Sequence, residues 1–257
     1  MRELERESPS DTPACTRLAI VGRGRVGTAL AQALRADGTS FAVRGPLGRG
    51  ETAGPVDVVL LCVPDDEIAR AAAAISPGPL VGHCSGATGL DVLAPHEAFG
   101  LHPLMTVTAA GARFAGAGGA VAGSTPRALA TAQALADALG LVTVRLAESD
   151  RPAYHGAASI ASNFLLTLEG MAERLGATAG LTRGQLVPLV RATVENWAAL
   201  GAHDALTGPV ARGDEGTIAR QRSAVAQRTP ELLDAFDMLV AATRELAGAA
   251  IPAGRAA

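Results

Sequence analysis

The stretch Leu18-Ala19-Ile20-Val21-Gly22-Arg23-Gly24-Arg25-Val26-Gly27 constrains the fold of this chain more than any other. A short apolar run enters a glycine turn, and Ala29, Leu30, Ala33 and Leu34 leave it with helical spacing. A G-x-G-x-x-G match carries weight only in that setting of strand, turn and helix. Gly22 permits the tight turn, Gly24 lets the backbone approach a pyrophosphate, and Gly27 lets the helix pack close to the strand. The phosphates then rest on free amides at a helix N-terminus, and Arg23, Arg25 and Val26 belong to the same cradle. In binders of NAD, an acidic residue about 20 residues further on takes the ribose 2′-hydroxyl. Here the run Ser40-Phe41-Ala42-Val43 ends in Arg44, with Arg49 beyond it and no carboxylate expected at the tip. A guanidinium at that place suits a 2′-phosphate. The segment therefore reads as an NADP(H) site rather than a structural glycine turn.

Composition narrows the partners. Net charge is −3 over 257 residues, which implies no nucleic acid or other polyanion. The longest apolar runs fall short of a membrane span, so no membrane partner is expected. Residues 1–13 are charged and polar and do not read as a signal peptide; 1–14 is expected to be a disordered tail. Cys15, Cys62 and Cys84 are too few and too scattered for a disulfide framework or a zinc site, so no metal is expected and the compartment reads as cytoplasmic. All 22 basic residues are arginine. A chain without lysine excludes every mechanism that requires one.

Strand-like runs at 17–21, 40–43, 56–62, 79–84, 99–102, 120–122 and 141–145 alternate with helix-like runs at 27–36, 66–75 and 125–139. This alternation predicts an α/β class fold, a parallel sheet with helices on both faces. From about Ser149 the periodicity is helical only. Gly201 and Gly248 read as helix stops, and Thr229-Pro230 as an N-cap followed by proline at the first helical position. A boundary near residues 148–151 is expected to separate a dinucleotide-binding domain, 15–148, from a helical substrate and dimerisation domain, 149–257.

Ligands on open parallel sheets bind outside the carboxyl ends of the strands. The third strand ends in Val63-Pro64-Asp65-Asp66, the fourth in His83-Cys84-Ser85-Gly86 and the fifth in Leu101-His102-Pro103-Leu104. Val63, Pro64, Asp65 and Cys84 are expected beside the cofactor, and Ser85, Gly86 and His102 beside a small-molecule substrate. Plainer readings stay open: Asp65 as a helix start, Ser85-Gly86 as a turn, His102 as a structural residue. Along the helix pattern at 153–175, His155, Ser159, Ser162 and Asn163 fall within one arc of roughly 100°. Ile160, Phe164, Leu168, Met171 and Leu175 take the opposite side and are expected to pack. The polar stripe is uncharged, unlike an ordinary solvated face, and is expected to line a site that Ser159 contacts. There His155 can donate a proton to a carbonyl oxygen, and Asn163 can hold that oxygen by its amide. In segment 205–214, Gly208-Pro209 sets a turn and Asp214 reads as a cap of the next helix. Arg212 offers a guanidinium to a substrate carboxylate, with the Thr207 hydroxyl beside it.

Four of these segments also carry a resemblance: residues 22–27, 100–106 (Gly-Leu-His-Pro-Leu-Met-Thr), Tyr154-His155 with Ser162-Asn163, and 205–214. The chain resembles bacterial proteins with a Rossmann-like N-terminal domain and a C-terminal helical domain of unknown function. They are related to alternative ketopantoate reductases in the 6-phosphogluconate and 3-hydroxyacid dehydrogenase superfamily. The resemblance implies an N-terminal Rossmann-type sheet, a C-terminal all-helical domain, a homodimer, and NADPH-dependent reduction of 2-dehydropantoate to pantoate. It departs at one place: hydroxyacid dehydrogenases of the superfamily carry a lysine four residues before an asparagine, and Ser159 stands there relative to Asn163. His155 is then the expected proton donor. Two alternatives remain. Gly-Leu-His-Pro-Leu also resembles the His-Pro motif of prephenate dehydrogenases, and a chain that kept the fold without the chemistry would be an NADP(H)-binding sensor.

Overall fold

A computed structural model of the chain describes residues 15–36, 39–108 and 111–248. The tail expected over 1–14 lies outside them. The chain divides into two compact units, the first ending at Ser162 and the second beginning at Asn163. The sheet itself ends at Arg145, close to the boundary expected from sequence, and the helix that follows counts with the first unit.

The first unit is a seven-stranded sheet in the order β2-β1-β3-β4-β5-β6-β7. The strands are β1 (Thr16–Val21), β2 (Phe41–Leu47), β3 (Val58–Leu61), β4 (Leu80–His83), β5 (Ala98–Leu104), β6 (Gly118–Gly123) and β7 (Val142–Arg145). Every strand run expected from sequence is present. β1 to β5 are mutually parallel, as is the β6–β7 pair, but β6 runs antiparallel to β5. The expected all-parallel sheet is corrected there. A parallel return needs a crossover of a dozen or more residues, usually helical. The described residues between Leu104 and Gly118 hold no helix, so the chain turns back.

Helices α1 (Arg25–Leu34), α2 (Ile68–Ala73) and α3 (Pro126–Ala138) cover the sheet. Side chains alternate across it. Leu18, Ile20, Leu60, Phe99 and Leu101 pack with α1 and α3. Ala19, Val59, Leu61 and Val81 pack on the other face with Ile68 and Ala72 of α2. Gly82 is required by this packing, because a Cβ there would overlap the edge of the buried Phe99 ring.

The first unit continues into α4 (Arg151–Ser159), and a π-helical turn at Ile160–Phe164 leads across the boundary to α5 (Leu165–Ala177) of the second unit. The second unit adds α6 (Arg183–Ala205), α7 (Glu215–Arg228) and α8 (Leu233–Gly248). Gly201 kinks α6 with φ of 78° instead of ending it, and Gly248 is the last described residue of α8. Thr229 occupies the N-cap position of a 3₁₀ turn that begins with Pro230, but its side chain makes no capping hydrogen bond.

Candidate functional site

The glycine turn folds as its spacing requires. β1 ends at Val21, Gly22 takes φ of 118°, and Gly24 is the N-cap of α1. A Cβ on Gly22 would overlap the Cys62 carbonyl oxygen, and one on Gly27 would overlap that of Gly22. A Cβ on Gly24 would meet no atom within 4 Å. The first two glycines thus serve packing, whereas the third leaves an open approach to the backbone. No side chain caps α1, and no acidic residue sits in its first turn. Its amide end, with Arg25 beside it, is suited to an anion. Val26 is partly buried against the core, so only its backbone is available to a ligand.

A cleft of about 1330 Å³ opens from this turn. Gly22, Arg23, Gly24, Val63 and Pro64 line it, together with residues 47–56 and 74–79. Arg44 flanks it: the guanidinium lies against Gly54, which forms part of the wall. Two expectations are corrected here. β2 does not end at Arg44. A bulge at Gly45, where φ is 101°, carries the strand on to Leu47. The tip also does bear a carboxylate. Glu51 Oε2 accepts from the Gly48 amide at 2.7 Å, and Oε1 accepts from Arg23 Nη2 at 2.6 Å. The Gly48 amide, with the charges of Arg23 and Arg44, holds the Glu51 carboxyl below its ordinary range. Arg49 and Arg70 both reach Glu67 on the same cleft.

A second polar cluster forms where β3, β4 and β5 end. Ser85 Oγ donates to Asp65 Oδ2 at 2.7 Å and accepts from the amides of Thr88 and Ala87 at 2.9 and 3.2 Å. Its hydroxyl is therefore committed to shaping the loop, and Asp65 secures that loop. His83 is fully buried. Its Nδ1 accepts from the Ser85 amide at 3.2 Å and its Nε2 donates to the Gly89 carbonyl at 3.1 Å, which fixes a neutral ring. Burial pushes its pKa down. Cys62 and Cys84, at the ends of β3 and β4, face each other with Sγ atoms 3.7 Å apart. The hydrogen bond it shares with Cys84, together with burial, pushes the Cys62 thiol up.

His102 sits above this loop, its ring against Gly86. Its Nδ1 lies 2.8 Å from the hydroxyl of Tyr154 on α4, and the two rings meet edge to face at 5.5 Å. Burial, aided by positive charge at His155 and Arg151, lowers the His102 pKa to about 4. Burial raises that of Tyr154. Arg151, at the first turn of α4, is 4% exposed and grips Glu148 through Nε at 3.1 Å and Nη2 at 2.7 Å. His155 is exposed, and no hydrogen bond engages its ring among the described residues. Ser159 is half-buried.

The first unit thus brings Asp65, Ser85, Gly86, His102 and His155 to one end of the sheet. Asn163, Thr207 and Arg212 belong to the second unit, where all three are exposed. Asp214 caps α7 by accepting from the Thr217 amide at 3.0 Å, as expected from sequence. The expected packing face is corrected: Ile160, Phe164 and Leu168 are 63%, 57% and 38% exposed. The π-helical turn inserts an extra residue, which rotates everything beyond it by about 100° relative to a straight α-helix. A single projection from 153 to 175 cannot hold across it. Sequence reasoning missed Glu51, the Glu148–Arg151 pair and Tyr154 as a polar contact. The only available signals were that Glu148 and Arg151 are three apart at a helix start, and that Tyr154 is the chain's one tyrosine.

Residues 118–243 match the family described as domain of unknown function DUF2520. No curated protein matches the sequence. Among solved structures, the chain is similar to a candidate NADP oxidoreductase of Bacteroides fragilis, at 20% identity over 90% of this chain and 98% of that one, with a TM-score of 0.74. It is similar to a Thermotoga maritima protein at 22% identity, with the same coverage and a TM-score of 0.72. It is also similar to the 1-pyrroline-5-carboxylate reductase of Streptococcus pyogenes, at 14% identity over 90% and 98% of the two chains, with a TM-score of 0.60. At these identities the likeness is one of fold, a Rossmann-like sheet followed by helices. Among the described residues, no helix is long and apolar enough to cross a membrane.

Proposed function

We propose that the protein is an NADPH-dependent reductase of a 2-oxo acid, with 2-dehydropantoate as the substrate to test first. The observation that carries the cofactor is the uncapped end of α1, open at Gly24, beside a cleft edged by Arg23, Arg44 and Arg49. Residues 22–27 would hold the pyrophosphate, and the arginines would take the 2′-phosphate. When bound, the dinucleotide supplies the hydride. The chain must then supply a proton to the carbonyl oxygen. Without lysine, the candidates at the sheet end are the neutral His102, Tyr154 and His155. The choice of 2-dehydropantoate rests on the family resemblance carried by residues 100–106 and 205–214, in which Thr207 and Arg212 would meet the substrate.

The test is the loss of nicotinamide absorbance with 2-dehydropantoate and NADPH, with NADH as the cofactor control. Turnover that prefers NADPH supports the reading. Tight NADPH binding without turnover refutes the substrate, and preference for NADH refutes the role of the arginines. The panel should include 1-pyrroline-5-carboxylate, a cyclic imine acid, because the reductase of that compound shares the fold. The protein is further proposed to act as a homodimer. α6 has no buried residue along its length, and it exposes Leu189, Trp197 and Leu200 at 65%, 58% and 57%. Such a surface is usual for an interface and rare on a monomer. Light scattering on the purified chain decides this, and a monomer at micromolar concentration refutes it.

A further inference from the structure

We propose that Tyr154 is the group that protonates the carbonyl oxygen, and that His102 positions it by donating Nδ1–H to the phenol oxygen. The inference rests on the reductase reading above and assigns its proton. Tyr154 and His102 are far apart in sequence, yet their polar atoms meet at 2.8 Å at the carboxyl end of the sheet. Apart from His155, which is exposed and held by no hydrogen bond among the described residues, their neighbours are committed. Ser85 is saturated by its own loop and Asp65, His83 is locked between the Ser85 amide and Gly89, and Arg151 is held by Glu148. Tyr154 is half-buried, with one side of its hydroxyl held and the other unclaimed by any described residue.

The geometry admits two tautomers of a neutral His102 ring, and only one suits catalysis. With the proton on Nδ1, the imidazole donates to the phenol oxygen and leaves the phenol proton for the substrate. With the proton on Nε2, the phenol proton is spent on Nδ1. In the productive form the carbonyl carbon gains the hydride, so the carbonyl is reduced and the dinucleotide oxidised. The carbonyl π pair becomes an oxygen lone pair. The Tyr154 O–H bond breaks as the new alcohol O–H bond forms. The phenolate keeps the Nδ1–H hydrogen bond until solvent returns a proton, and His102 itself gains and loses nothing.

The test compares wild type with Tyr154→Phe, His102→Leu and His102→Asn, whose amide nitrogen stands near the place of Nδ1. Turnover of 2-dehydropantoate, NADPH Kd and the nitrogen-15 spectrum of the imidazoles are read for each. The His102 signals are identified by their absence in the two His102 variants. Tyr154→Phe is expected to lower kcat by about 10²- to 10⁴-fold while NADPH Kd stays within about twofold. His102→Leu should lower kcat and His102→Asn should restore most of it. The wild-type ring should show the Nδ1–H tautomer. Tyr154→Phe with nearly wild-type kcat, or an Nε2–H tautomer, overturns the proposal. If wild type binds NADPH but reduces only the cyclic imine, the oxo-acid reading fails and the pair is judged by the same comparison on the imine. If it reduces neither probe, the reductase reading fails and the proton-donor role of Tyr154 falls with it, whatever the tautomer.

Discussion

Replacing Gly27 by alanine sets two effects of opposite sign against each other. Gly27 lies within α1 and is buried. On propensity alone, alanine in a helix interior stabilises by about 0.4–1 kcal/mol, through a stiffer unfolded chain and a better helix former. The structure opposes this. A Cβ at Gly27 would overlap the Gly22 carbonyl oxygen and stand 3.1 Å from the Cys62 Cβ. Relief requires the carbonyl or the helix to move by on the order of 1 Å. The carbonyl cannot readily swing, because Gly22 is itself held at φ of 118° against Cys62. Overpacking of this kind costs about 1–3 kcal/mol, so the net expectation is a loss of about 1–2 kcal/mol. The displaced helix start should also weaken NADPH binding at least tenfold. Urea unfolding followed by far-ultraviolet circular dichroism measures the first. Fluorescence of Trp197 would not serve, since that residue lies in the second unit. Titration of bound NADPH measures the second. A Gly27→Ala protein as stable as wild type with unchanged NADPH affinity would refute the close-packing argument and the site together.

Gly24→Ala should separate ligand from fold, because its Cβ meets nothing within 4 Å. Stability should change by about 1 kcal/mol or less, the scale of an N-cap change, while NADPH affinity falls markedly; equal affinity would remove the backbone approach at Gly24. Stability should also depend on pH through His102. Its folded pKa of about 4 lies below the ordinary 6.5, so the unfolded chain binds the proton more tightly. The contribution is complete above about pH 6.5 and is lost as pH falls toward 4, by about 3 kcal/mol in all. His83 adds loss in the same direction. Urea midpoints across that range, compared with His102→Asn, test this, and parallel profiles for the two proteins would sink it. Gly82→Ala should destabilise by about 1–3 kcal/mol through its clash with Phe99, with partial recovery in Gly82→Ala/Phe99→Leu. Additive losses in thermal or urea unfolding would refute that coupling.

The fold was largely legible because its signals are local. Apolar runs of strand length, the glycine turn, and the Thr125-Pro126 start of α3 each lie within a few residues. What escaped was local in sequence but ambiguous in meaning. Gly45-Pro46 reads as the end of a strand. It proves to be a bulge that lets β2 continue to Leu47 beside Val21, which carries the acidic Glu51 to the cleft. The direction of β6 escaped for a different reason. A strand's orientation depends on what the preceding connection can span, and the described part of that connection holds no helix but hydrogen-bonded turns such as Phe114–Ala117. The π-helical turn at Ile160–Phe164 has no residue signature at all, so a projection that assumed a straight helix put Ile160 and Phe164 on a packed side.

The site was less legible than the fold because its polar atoms are matched over long separations. The strand-end rule located Asp65, Ser85 and His102 correctly as neighbours of one sheet edge, but it could not say which of them keep a free hydrogen-bonding valence. Counting donors and acceptors in the structure does. Ser85 looked like a substrate ligand, yet its single hydroxyl serves Asp65 and two loop amides. His83 beneath it likewise has both ring nitrogens used. Each saturated group adds rigidity to the loop beneath His102. In the proposed mechanism that rigidity has a use in a chain without lysine. A phenol, unlike an ammonium, becomes an anion when it gives up its proton, so it serves best if its oxygen is held where that new charge will be met by a fixed donor. The ring of His102, pressed on Gly86 and kept neutral by burial, meets that requirement. His155, exposed and held by no hydrogen bond among the described residues, lacks that fixed orientation.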